Sequence, residues 1–343
     1  MSLKRISVLD QSPIHDDKGE ASGLYDTIEL AKLCDNLGYH RYWCAEHHAT
    51  PGYASPCPEM MAAHVACGTK NIRVGTGGIM LTHYSPFKVA ETFRVLEALH
   101  PGRIDLGVGR APGGSPLAHA AIAAPRQQIS HEYYPQQSAE LMAYLHSTLP
   151  VDHPFYRVSV EPENGGIPDV WMLGSSGGSS ELAGQLGTAF ALALFIGTHK
   201  RTAEIINTYT KAYQPVVEGD KPQALIAVAA IAADNREEAE FIAASHVYWK
   251  VQAFRLGERT PLYPPKKALD LKKKLSLDNQ AYFDETMNTY ILGTADECVQ
   301  EMEALAGDFG VEEVMVVNVT YGFEPRKRTY RTLAESFRQR FIT

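Results

Sequence analysis

The sequence predicts an α/β protein, a (β/α)8 TIM barrel with insertions, and three observations carry that reading. Short apolar runs rich in β-branched residues alternate with stretches of helical spacing along the whole chain. About eight such runs can be counted. The residues with chemical potential fall where those runs end, the face on which barrels of parallel strands build their sites.

The first run, Ile6-Ser7-Val8-Leu9-Asp10, reads as a strand, and Leu24, Ile28, Ala31 and Cys34 then recur at helical spacing before Gly38 supplies a C-cap. A second strand over 39–45 ends in Glu46-His47-His48, and a helix over 56–67 leads into a third strand at 73–81. Gly77-Gly78 interrupts that strand. Paired glycines weaken a strand, and a bulge, a bend or a ligand lying close to the backbone is the usual reason for them. Residues 86–99 put Val89, Ala90, Phe93, Leu96 and Leu99 on one helical face behind a first-turn proline. After the stop at His100-Pro101-Gly102, a strand over 103–110 delivers Arg110 into Ala111-Pro112-Gly113-Gly114.

Residues 111–130 form a polar, alanine-rich insertion, followed by a helix over 131–147. The strand at 170–173 opens onto Gly174-Ser175-Ser176-Gly177-Gly178-Ser179-Ser180, and helical spacing resumes from Ser180 to Gly187. Strands at 189–196 and 224–233 alternate with helices at 199–214 and 236–254. The segment 255–284 is rich in Pro and Lys with only fragments of helical pattern, so a lid or a structureless loop is expected there. A helix at 297–306 and a strand at 314–318 complete a single predicted domain over 1–343.

The 343 residues carry a formal net charge of -8 with 45% apolar residues. No basic excess is present to hold nucleic acid or an anionic membrane. Apolar stretches such as 189–196 fall well short of the roughly 20 residues that a membrane-spanning helix needs. Cys34, Cys44, Cys57, Cys67 and Cys298 show no CxxC spacing and are expected to be free thiols in a reducing compartment. Residues 1–6 run straight into a strand with no apolar segment of signal-peptide type, and a cytoplasmic protein is expected.

The turn 174–180 opens a helix, where unpaired backbone N–H groups, the helix dipole and serine hydroxyls suit an anion such as phosphate, with Arg110 available as a cation. An N-cap with glycines for close packing is the plainer reading. Gly107-Val108-Gly109-Arg110-Ala111-Pro112-Gly113 imitates a dinucleotide fingerprint, but Pro112 and Pro116 break the helix that such a fingerprint must open. For Glu46-His47-His48, neighbouring residues on a strand face opposite ways, so one metal ion does not readily take both histidines and no metal site is expected. An acid/base role near neutral pH suits a strand-end histidine better.

The stretches AEHH at 45–48, RVGTGGIML at 73–81, HYSPFKVAETFRVLEALHPGRIDLGVGRAPG at 83–113 and LGSSGGSSELAGQLG at 173–187 resemble the bacterial luciferase-like family of flavin-dependent monooxygenases, in its non-luminescent single-chain members. The resemblance implies a barrel binding reduced FMN at the carboxyl ends of its strands. It further implies His47 as the catalytic histidine, Arg110 with Ser176 and Ser179 as phosphate ligands, and Gly77-Gly78 as a bulge, often a cis peptide, beside the flavin ring. Ser175 joins this cofactor set where luciferase has an acidic residue, and Gly77-Gly78 stands where luciferase has alanines. O2, a small organic substrate, a separate flavin reductase and a homodimer follow from the same resemblance. An F420-dependent oxidoreductase of the same barrel family and a flavin-binding protein without catalysis are the alternatives.

Overall fold

The computed structural model describes residues 2–340 apart from 16–18, 20, 112 and 126–129. Its strands are β1 (Arg5–Asp10), β2 (Arg41–Cys44), β3 (Arg73–Thr76), β4 (Ile79–Met80), β5 (Ile104–Gly109), β6 (Asp169–Gly174), β7 (Ala189–Ala193), β8 (Ala224–Ala232), β9 (Ile291–Gly293) and β10 (Glu313–Val317). All of them except β4 and β9 form a parallel ring in the order β10-β1-β2-β3-β5-β6-β7-β8, closed where β8 pairs with β10. The (β/α)8 barrel is therefore closed by eight strands. The helices are α1 (Ser22–Asn36), α2 (Pro58–Gly68), α3 (Pro86–Leu99), α4 (Pro116–Ala123), α5 (Tyr134–His146), α6 (Gly177–Gln185), α7 (Glu204–Ala212), α8 (Arg236–Val251), α9 (Pro265–Lys272), α10 (Leu277–Met287), α11 (Ala295–Phe309) and α12 (Phe323–Gln339).

Strand alternation divides the core in two. Val8, Tyr42, Val74, Leu106, Met172 and Val316 pack in one apolar cluster with helix residues such as Leu30, Phe93 and Leu333. Leu9, Trp43, Trp171, Ala227, Met315 and Val317, the alternate positions, pack with one another inside the ring. Each large side chain buried in either layer contributes about 1.5–3 kcal/mol. At the amino end of the ring the interior is ionic: the Arg41 guanidinium donates to Asp105 at 2.7 Å and to Glu313 at 2.6 Å, and Trp43 Nε1 donates to Asp105 at 2.8 Å. Arg41 also lies 4.5 Å from the Trp171 ring centre. These charges sit opposite the strand ends that carry the histidines and serines.

Three local expectations change, and the break expected at Gly77-Gly78 is present. The run 73–81 splits at Gly77-Gly78 into β3 and β4, and the 77–78 peptide bond is cis. The insertion 111–130 contains α4, whose N-cap Ser115 accepts from the Ala118 N–H, although its residues 112 and 126–129 lie outside the described ones. The segment 255–284 is not structureless: α9 and α10 run through it and pack against α8. The short strand β9, too brief to show a period, pairs with the far end of β8.

Candidate active site

Inward-facing parity along β2 runs through Arg41, Trp43 and Ala45 and places His47 next, over the mouth of the ring. Its imidazole lies against the Tyr53 ring, with centres 4.4 Å apart. Nδ1 is buried with no hydrogen-bond partner, so Nε2 is the nitrogen that solvent reaches. Burial, with smaller contributions from His48 and Arg259, pushes the pKa down to about 3. This differs from the expectation of a group titrating near neutrality: the resting imidazole is neutral across the physiological range.

Glu46 and His48 face away from His47 and belong to each other. Glu46 is wholly buried, and its carboxylate accepts from His48 Nε2 at 2.6 Å, from the Tyr84 hydroxyl at 2.8 Å and from the Met80 N–H at 2.9 Å. A carboxylate with three donors costs little to bury. It ties the loop after β2 to β4 just beyond the cis bond. The His48 ring meets His83 edge-on at 5.6 Å, and His83 meets His119 at 4.5 Å. Among the described residues no group of three or more His, Cys, Asp or Glu is placed to hold a metal ion.

Gly77 and Gly78 adjoin this loop, since the Gly77 N–H donates to the Cys44 carbonyl at 2.8 Å. Neither needs a positive φ. Their missing side chains matter through space: a Cβ on Gly77 would come within 2.4 Å of Leu9 Cδ1, and one on Gly78 within 2.7 Å of the Gly107 carbonyl oxygen. Gly78 is thus required by the closeness of the β5 backbone, whereas a side chain at Gly77 would displace the end of Leu9.

β5 and β6 pair through Val108 and Met172, so Arg110 and the 174–180 turn emerge side by side at the rim. Arg110 is exposed and has no carboxylate partner among the described residues. Ser176 is the N-cap of α6 but makes no side-chain cap bond, and the hydroxyl of Ser179 donates to the Ser176 carbonyl at 2.9 Å. A Cβ at Gly177 or Gly178 would meet nothing within 4 Å, which leaves open space around the first N–H groups of the helix. The sequence reading missed Arg201, which anchors this turn from below by donating to the carbonyls of Ser175 at 3.1 Å and Ile196 at 2.6 Å. Only its distance along the chain from the serines concealed it.

The strap 257–263 borders the mouth near His47. The Leu262 N–H donates to the Ile14 carbonyl at 3.0 Å, Arg259 donates to Thr50 Oγ1 at 3.0 Å, and the Thr260 carbonyl accepts from Trp249 Nε1 at 2.8 Å. Trp249 in turn lies 4.8 Å from the Tyr53 ring.

One rim of the closed parallel barrel thus carries an open helix N-terminus, an arginine without a carboxylate partner among the described residues, and a histidine. The pattern of the luciferase-like monooxygenases fits residues 5–313. The N-acetyl-S-alkylcysteine monooxygenase of Bacillus subtilis is 30% identical, with 97% of this chain and 98% of that protein covered. The crystal structure of apo-MsnO8 superposes with a TM-score of 0.85 at 35% identity, covering 97% of this chain and 98% of the other. The chain belongs to the luciferase-like monooxygenase family. Two more distant structures share the fold alone. The oxygenating constituent of 3,6-diketocamphane monooxygenase from Pseudomonas putida, in complex with FMN, has a TM-score of 0.71 at 16% identity and covers 98% of this chain and 97% of its own. An F420-dependent secondary alcohol dehydrogenase with an F420–acetone adduct has 0.69 at 15%, covering 97% and 98%.

Proposed function

We propose that this protein is a flavin-dependent monooxygenase that uses reduced FMN and O2 to oxygenate a small organic substrate. The observation that supports it best is the rim pairing of Arg110 with the open N-terminus of α6. There a phosphate finds a charged guanidinium, the hydroxyls of Ser176 and Ser179, and the backbone N–H groups that follow Ser175. Bound reduced flavin supplies the electrons that activate O2. The chain's own residues do the rest. Arg110 and the serines fix one end of the cofactor, Gly77-Gly78 and the Glu46-anchored loop shape the floor beside its ring, and neutral His47 offers Nε2 to a proton of the substrate or of the reacting oxygen. The strap 257–263 keeps water from the Tyr53 side of the imidazole. With the dinucleotide fingerprint broken by its prolines, electrons come from a separate reductase, and the working form is a homodimer.

The relative named for N-acetyl-S-alkylcysteine oxygenation makes thioethers a sensible first substrate class for screening, beside aldehydes and ketones. Deazaflavin F420 is the rival cofactor, since one protein of the same fold uses it. Titration of the purified protein with reduced FMN and with reduced F420, followed by oxygen consumption, separates the two. Arg110→Ala is expected to weaken FMN binding by about 1.5–3 kcal/mol. His47→Ala is expected to keep FMN affinity and lose about 10²–10⁴-fold in turnover. Unchanged FMN affinity in the arginine variant, or tighter binding of F420 than of FMN, would overturn the reading.

A further inference from the structure

Behind His47 lies a set of buried polar side chains that the proposed chemistry does not use. The Tyr53 hydroxyl and His246 Nε2 are hydrogen-bonded at 2.9 Å, and His246 Nδ1 and the Tyr290 hydroxyl at 2.7 Å. All three residues are buried. A neutral imidazole has one N–H and one lone pair, so His246 serves both tyrosines only by donating to one and accepting from the other. Burial holds it in that state by pushing its pKa far below the usual value, with Lys250 and His47 adding to the effect.

Helical spacing explains how the set is assembled. His246, Trp249 and Lys250 are three and four residues apart on α8 and share a face. Trp249 packs so tightly on the loop before Tyr53 that a Cβ on Gly52 would fall 2.4 Å from its Nε1. The Lys250 ammonium donates to the Phe195 carbonyl at 3.0 Å and lies 4.7 Å from the Tyr290 ring centre. One helix face therefore fixes the loop after β2, the turn before β9 and the loop after β7 together.

We infer that Tyr53 and His246 are positioning residues for His47, forming with Tyr290 a buried chain that sets the imidazole's place and shields its Nδ1 side. The inference rests on the reading of His47 as the acid/base group. Its ground is that no side-chain hydrogen bond from the described residues holds the His47 ring: Nδ1 has no partner among them, and the Tyr53 face is what the ring rests on. A Tyr53 ring free to turn would let His47 turn with it. Were the purpose only to fill space, Phe and Leu would do so without hydroxyls and an imidazole that must all be paired. The titratable and charged groups that act on His47 are Tyr53 and His246 behind it and Arg259 on the strap, with His48, next in the chain but turned away, acting through its charge.

The test combines a titration of the His47 imidazole by ¹⁵N NMR with turnover measurements. In the wild type His47 should not titrate between about pH 5 and 8, whereas in Tyr53→Ala its midpoint should rise into that interval. Turnover of Tyr53→Ala should fall about 10–100-fold and gain an acid limb, with FMN affinity unchanged. Tyr53→Phe keeps the ring face and tests the hydroxyl by itself should the alanine variant not fold; it is expected to lower kcat and leave KM alone. His246→Gln, which can still donate once and accept once, should retain more turnover than His246→Ala. Wild-type titration and kcat in both Tyr53 variants, or equal losses in the two His246 variants, would overturn the inference. The titration needs no substrate, so its outcome is separate from the role of His47 in turnover, which His47→Ala reads.

Discussion

Lys250 has its ammonium group buried against the Phe195 carbonyl, and burial pulls its pKa down from 10.5 to about 7. Between those two values the unfolded chain holds a proton that the folded chain has released, so the stability linked to this group rises with pH across the interval. Urea unfolding at about pH 7 and about pH 7.8, below the midpoints of thiols and phenols, should show that rise, and Lys250→Met should flatten it. An identical slope in the variant would mean that the lysine stays charged. The neighbouring His47 and His246 work in the same direction at lower pH. Each stays neutral when folded while the unfolded side chain takes up a proton below about 6.5, so both cost stability as the medium becomes acid.

At the scale of an element, α6 and the turn before it depend on one contact that sequence patterning does not reveal. Ser179 folds back over Gly174, where a Cβ would lie 2.0 Å from the Ser179 oxygen and 2.5 Å from its Cβ. Gly174→Ala must therefore push the first turn of α6 outward, and FMN binding measured by fluorescence should weaken about tenfold or more with little change in melting temperature. Retained affinity would place the phosphate elsewhere. The eight ring strands and most helices were legible in the sequence, because strands buried on both faces read as short apolar runs and amphipathic helices show a period of 3.6 residues. The helices at 265–272 and 277–287 were not: six of their residues are lysine or aspartate, and each buries only one or two side chains, so no apolar stripe forms. His47, Arg110 and the serines were legible because they stand at strand ends. Arg201, Tyr53 and His246 were not, since they reach the rim only through contacts with residues distant in the chain.

For the whole molecule buried charge lies at both ends of the ring, Arg326 with Asp10 at the carboxyl end of β1 and Arg41 with its partners at the amino end. Arg41 is buried between Asp105 and Glu313, and both partners raise its pKa despite the cost of burial. Arg41→Met would leave Asp105 to the half-buried Arg73 and Glu313 to Arg5, whose Nε lies 3.7 Å away, and a loss of about 3–5 kcal/mol in denaturant unfolding is expected. The rim residues sit at the other end of the strands, so FMN affinity of the folded fraction should be unchanged. A loss below about 1 kcal/mol would show that Arg73, which also donates to Asp105, and Arg5, beside Glu313, suffice without Arg41.

The seam between β1 and β10 carries a consequence for how the protein is made. β1 leaves the ribosome before the other strands of the ring, but one of its two neighbours is β10, and β8 waits for the same partner. Until residues 313–317 appear, the nascent chain has two open sheet edges able to pair with another molecule. His47 and Gly77-Gly78 emerge early, whereas Tyr53 finds its anchor only when α8 arrives and the strap only after that. The His47 side of the rim is thus among the first parts of the ring to be synthesised and among the last to acquire its working shape, and a chaperone that shelters the half-made ring would protect the site along with it.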